Sequence, residues 1–214
     1  MIVYSANIGQ KDPFHEPTIK HEGVEYVYFV DNKLHYRHRS SSIWDVREVP
    51  IKFKSRRMTA RWYKMHPHLL FPGEDTVWTD SNFLPRHRSP VPILTKDLDV
   101  FAHGTKKRDC LYQEAAYCIE GNRAGNADDI KRQVAAYRKE GMPEHAGLWV
   151  TSQLWRSPDM AFINDEWWKQ LQEYSNRDQI SLPYLIWKYD VSYRTLKFRD
   201  RKDIFWRRGP HYRF

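Results

Sequence analysis

Apolar residues in this chain fall into short dense runs, separated by longer stretches in which they recur every three or four positions. The short runs read as strands. Residues 2–6 lead into Asn7-Ile-Gly9, a turn whose glycine lets backbone approach a ligand. Residues 24–31 are β-branched and aromatic almost throughout and close on Asp31. Residues 44–49 alternate Trp, Val and Val with Asp, Arg and Glu, the pattern of a half-exposed strand near an edge. Residues 76–79, 99–103 and 147–155 complete the strands, the last as a central one. The longer stretches read as helices. Residues 56–65 contain good helix formers and end before Pro67. In 108–120, Leu111, Ala115, Cys118 and Ile119 share one face. In 128–140 the stripe is Ile130, Val134 and Tyr137, stopped at Gly141-Met-Pro143; in 165–175 it is Trp167, Leu171 and Tyr174. Residues 181–189 suit helix or strand equally. The tail from 193 to 214 has no clear period, and 86–92 reads as a loop insertion. The order predicts an α/β fold: one domain over residues 1–214, with a central mixed, mostly parallel sheet flanked by helices.

Composition narrows the partners. At 41% hydrophobic and 15% aromatic residues, the chain is globular and not disordered. The excess of 35 Lys+Arg over 27 Asp+Glu, net +8, predicts an anionic partner: a phosphorylated small molecule, a nucleic acid or an acidic surface. The start, Met-Ile-Val-Tyr-Ser-Ala, lacks the basic lead and apolar run of a signal peptide, and no apolar stretch approaches the roughly 20 residues that span a bilayer. The expectation is a cytoplasmic protein with no membrane partner. Cys110 and Cys118, eight apart on one helix and so about 12 Å from each other, cannot pair there, which fits a reducing compartment.

Several groups of residues could carry chemistry. The strand 76–79 delivers Asp80-Ser-Asn82 at its end, where α/β sheets bind ligands. Two oxygen-bearing side chains there suit a hard divalent cation, or equally a turn bonding its own backbone. Asp31 could accept from a ribose, or close a turn. Arg57, Arg61 and Lys64 share one helix face, fitting a diphosphate or a solvated basic surface. His103-Gly-Thr-Lys-Lys-Arg-Asp109 precedes a helix N-terminus, which favours an anion or a polar substrate group. Ser175-Asn-Arg177-Asp178-Gln179 could grip hydroxyls or form a salt-bridged corner. His211, in a Gly-Pro turn, is a candidate ligand to a cation at Asp80, and Trp155-Arg156 read as part of an aromatic and basic surface.

In chain order, Ile2-Val-Tyr-Ser-Ala6, Phe29-Val-Asp31, Arg61-Trp-Tyr-Lys64 with His66-Pro-His68, Trp78-Thr-Asp-Ser-Asn82, His103 with Arg108-Asp-Cys-Leu-Tyr-Gln-Glu-Ala115, and Arg177-Asp-Gln179 resemble a GT-A glycosyltransferase. The resemblance is to the glycosyltransferase-like domain of plant mucilage-related proteins and large algal viruses, and it covers most of the chain. It implies a single Rossmann-like GT-A domain that uses a UDP-sugar (glucose or rhamnose among the candidates), a glycan acceptor and a divalent metal, Mn2+ or Mg2+. For algal-virus members it implies capsid-glycan synthesis in the host cytoplasm, by a domain that can be the amino-terminal part of a longer polypeptide. It further implies that Ser5, Ala6, Asn7 and Asp31 hold uridine, and that Arg57, Arg61 and Lys64 reach the base edge or diphosphate. Asp80 and Ser81 complete the nucleotide site; Asp80, Asn82 and His211 bind metal; His103, Arg108, Asp109 and Asp178 line the donor sugar. Arg177, Asp178 and Gln179 stand at the reacting carbon. Asn82 departs from the family pattern by replacing a second acid, which weakens metal binding. The resemblance favours retention of configuration; inversion would make Asp178 the base. Two other readings stand beside it. One is a basic nucleic-acid-binding module, against which the positive charge is dispersed. The other is a sugar-nucleotide-binding relative without activity, which Asn82 permits.

Overall fold

Every residue of β1 (Ile2–Asn7) is buried, as a strand must be when it is paired on both edges and covered on both faces. It pairs in parallel with β2 (Glu25–Val30) on one side and β4 (Thr76–Thr79) on the other, and β2 pairs in parallel with β3 (Asp45–Glu48). This computed structural model describes residues 1–9, 12–32, 41–85, 94–104, 108–122, 126–197 and 205–207. Among them, seven strands form one sheet in the order β3-β2-β1-β4-β7-β6-β8. Here β6 is Leu98–Ala102, β7 is Trp149–Arg156 and β8 is Tyr193–Leu196. β7 runs antiparallel to both neighbours, and the other pairings are parallel. The sheet is therefore mixed and mostly parallel, as the chain order predicted. β5 (Phe83–Pro85) and β9 (Phe205–Arg207) form a separate antiparallel pair.

Six α-helices are described: α1 (Arg56–Met65), α2 (Pro67–Leu70), α3 (Leu111–Glu120), α4 (Ala127–Lys139), α5 (Ala161–Glu173) and α6 (Asp178–Lys188). α1 starts where the Ser55 side chain accepts from the Met58 N–H, and Pro67 opens the short α2. The larger core joins Tyr4, Ala6, Val27, Phe29 and Trp78 of the sheet to helix residues such as Tyr63, Leu111, Trp167 and Ile180. On the opposite face, the described core residues come from strands and loops: Val3, Tyr26, Tyr28 and Val77 pack with the loop aromatics Phe14 and Trp44.

α6 resolves the stretch that suited helix or strand equally. Ile180 to Ile186 are all buried, because the helix is packed against α3, α5 and β7. A helix covered on every side is apolar on every side and leaves no stripe to read. Pro183 lies inside it, a further signal against a helix in the sequence. Trp155 and Arg156, expected at the surface, are fully buried. The Arg156 guanidinium donates to the Lys64 carbonyl at 2.7 Å, to the Tyr4 hydroxyl at 2.5 Å and to Asn164 Oδ1 at 2.8 Å. It satisfies a carbonyl of the last turn of α1, where the helix dipole favours a cation. Burial pushes the Tyr4 hydroxyl up to about 12 despite the neighbouring cation. Cys110 and Cys118 are both free and buried, at the start of α3 and within it.

Candidate functional site

Because β1, β2, β4 and β6 run in the same direction, their carboxyl ends share one edge of the sheet. The edge gathers the Ile8–Gly9 turn, Asp31, Asp80 and His103, four positions that the sequence offered separately. Asp31 accepts the Gly9 N–H at 3.0 Å, so it braces the turn after β1. Gly9 needs to be glycine: its φ is +80°, and a Cβ there would lie 2.6 Å from Arg56 Cδ. Asn7 and Ser81 are turned to the same structural task. The Asn7 amide donates to the Asp12 carbonyl at 2.6 Å, and the Ser81 hydroxyl donates to the Asp12 carboxylate. Ser5 is buried in β1, and the Ala6 methyl is packed in the helical core, so Ala6 can offer a ligand only backbone.

Beside this edge lies a charged cluster. Asp178, the first residue of α6, receives Lys64 Nζ and Arg61 Nη1 on one carboxylate oxygen, each at 2.5 Å. Burial alone would raise its pKa; Arg61 and Lys64 outweigh that and hold the carboxyl well below its usual range. The salt-bridged corner that Ser175–Gln179 allowed is therefore present, and Gln179 follows it, half-buried. Lys64, itself fully buried, also lies 3.6 Å from Asp80 Oδ1, which accepts the Trp78 indole N–H at 2.8 Å. Asp80 Oδ2 has no hydrogen bond or ion pair among the described residues, and the side chain is 28% exposed.

A second group adjoins the first. Glu114, in α3, pairs with Arg108 at 2.9 Å and Arg177 at 3.5 Å. Arg57, exposed at the start of α1, has its pKa lowered by partial burial and then by Arg61 and Arg177. Among the described residues, this network of pairs and close charges holds five cations (Arg57, Arg61, Lys64, Arg108, Arg177) and three carboxylates (Asp80, Glu114, Asp178), two more cations than acids. Such a surplus attracts a diphosphate. Glu114 and Asp12 are the carboxylates that the sequence did not single out; Glu114 falls in an amphipathic helix and Asp12 in an unpatterned loop.

Asp109 is exposed and pairs with His145 at 2.7 Å, away from the Asp178 cluster in its bonding. His211 lies outside the described residues. His103 is half-buried at the end of β6, its N–H bonded to the Leu148 carbonyl at 3.0 Å.

Asp80, partly exposed and with one oxygen unengaged among the described residues, and the buried Asn82 carry oxygen donors, the type that a hard divalent cation takes. Adjoining Arg57 and Arg177 in sequence is a groove of about 510 Å³ between α1, α4 and α5, lined by Phe53, Met58, Trp168 and Tyr174 and by the amides of Asn126, Gln172 and Asn176. Asn176 Oδ1 is buried with no hydrogen-bond partner among the described residues. Aromatic faces with amides at their rims suit the apolar face and hydroxyls of a sugar ring.

Among the described residues, no helix is long and apolar enough to cross a membrane. No curated protein matches the chain. The TOD1/MUCI70, glycosyltransferase-like domain family matches residues 1–206, and on that match the chain belongs to this family.

Proposed function

We propose that the protein transfers a hexose or deoxyhexose from a UDP-sugar to a glycan, with a divalent cation at Asp80. The observation that carries this reading is the surplus of cations around Asp178 beside the one partly exposed carboxylate at the end of β4. Cleavage of the sugar–phosphate bond places negative charge on the departing diphosphate. Arg61, Lys64 and Arg57 stabilise it from fixed positions, where they are strongest in the transition state. Asp80 and Asn82 would hold Mn2+ or Mg2+, whose charge would offset that of the phosphates. Glu114 and Asp178 offset the mutual repulsion of these cations.

Asp178 serves poorly as a general base. A carboxylate gripped by two cations has low basicity, and removing either cation's partner would unbalance the cluster. This supports transfer with retention, in which the departing phosphate oxygen receives the acceptor's proton. The groove beside Asn176 supplies the acceptor position, and the resemblance to algal-virus members makes a capsid glycan the first acceptor to try. Incubation with a panel of UDP-sugars and Mn2+ tests the reading by UDP release and by the anomeric configuration of the product. Release that vanishes in Asp80→Ala supports it. Tight UDP binding without turnover of any donor would show an inactive relative, and an inverted product would overturn the assignment of retention.

A further inference from the structure

We propose a second metal site, for zinc, made by Asp109, Cys110 and His145. One donor atom from each lies within 4.8 Å of the other two. The set is a thiol, an imidazole and a carboxylate; its sulfur and nitrogen donors suit zinc better than manganese, which prefers oxygen. The geometry comes from two segments that the fold brings together. Asp109 and Cys110 lead into α3, with the Asp109 N–H bonded to Gln113 Oε1 at 2.8 Å. His145, 36 residues beyond Asp109, sits in the connection from α4 to β7 with a left-handed backbone, φ 58°. Histidine tolerates that conformation better than most side chains, and here it brings Nδ1 to 2.7 Å from Asp109 Oδ1.

The Cys110 thiol is buried at the first turn of α3, makes no hydrogen bond among the described residues, and has no role in the diphosphate site. Zinc binding would displace the proton between His145 Nδ1 and Asp109 Oδ1 to solvent, or to Nε2 of the ring, and leave two lone pairs aimed at the ion. At bond lengths of about 2.0 Å and tetrahedral angles the two atoms would separate to about 3.3 Å, a small adjustment for two exposed side chains. The thiol proton leaves to solvent as the thiolate binds, and water takes the fourth position. The bound ion would fasten the α4–β7 connection to the start of α3. That matters to the neighbouring site because Arg108 and Glu114, on either side of the clip, pair with each other, and Glu114 also holds Arg177.

Cobalt substitution tests the site without any assay of activity. Addition of Co2+ to the purified protein should give the intense near-ultraviolet band of a thiolate–cobalt bond at one ion per chain. Cys118→Ser should keep the band, and Cys110→Ser should lose it while retaining the fold, because serine is a favoured residue at a helix start. His145→Ala should weaken zinc binding at least about a hundredfold, since loss of even an outer partner costs about 10–100-fold. Zinc should raise the melting temperature of the wild type and leave that of Cys110→Ser unchanged. No thiolate band in the wild type, a band that survives Cys110→Ser, or zinc affinity unaltered by His145→Ala overturns the proposal.

Discussion

Replacing Asp178 by asparagine keeps the shape of the side chain and removes its charge. In the wild type this carboxylate is 5% exposed and meets both Lys64 and Arg61 at 2.5 Å. The variant leaves Lys64 buried, with Asp80 at 3.6 Å as its remaining acid. Breaking one side of a buried ion pair costs about 3–5 kcal/mol. For a chain of this length, each kcal/mol corresponds to about 2–4 °C in melting temperature, so the expected loss is about 6–20 °C. The pH dependence has a definite sign. The folded carboxyl is held below its ordinary range, so its contribution is complete above the unfolded pKa of about 4 and is lost as pH falls toward the folded value. Thermal or urea unfolding of wild type and Asp178→Asn should therefore show a constant gap from pH 8 to pH 5 that closes below about pH 4. The same change adds one more uncompensated positive charge, so pyrophosphate should stabilise the variant more than the wild type. An unchanged melting temperature, or a gap that widens in acid, would refute the claim that Asp178 anchors the cluster.

Other substitutions separate binding from stability. Arg57→Ala removes an exposed side chain, so stability should stay within about 0.5 kcal/mol, while UDP affinity measured by calorimetry should fall about tenfold, or about 1.4 kcal/mol. Gly9→Ala forces a Cβ onto a backbone with φ +80° and should cost about 1–2 kcal/mol in urea unfolding, together with weaker nucleotide binding. Arg156→Met strips the Lys64 carbonyl, Tyr4 and Asn164 of a shared donor and should cost about 3 kcal/mol, read as a lowered melting temperature.

The edge-of-sheet architecture was legible because its strands are short, apolar and end in polar residues. Asp31 and Asp80 follow β2 and β4 at positions that the patterns of 24–31 and 76–79 marked. Periodicity does not encode direction, so the reversal of β7 could not be read from a central apolar run. α6 was obscured by the completeness of its burial. Arginine is rarely buried, and nothing in the pattern around Trp155-Arg156 signals otherwise; only the fold shows the three acceptors that receive Arg156. Asp109 and Asp178 were grouped as donor-sugar contacts, yet their side chains are engaged with different partners, His145 for one and Arg61 with Lys64 for the other. Sequence spacing carries no information about which of two acids a distant cation will reach.

The central claim is that a divalent cation joins Asp80 to a nucleoside diphosphate at the ends of β1, β2 and β4. Calorimetric titration of UDP into wild type and Asp80→Ala, each with and without Mn2+, measures it directly. The account predicts binding at least tenfold tighter with Mn2+ in the wild type and no gain from Mn2+ in Asp80→Ala. Equal UDP affinity with and without Mn2+, or a manganese effect that persists in Asp80→Ala, would contradict it.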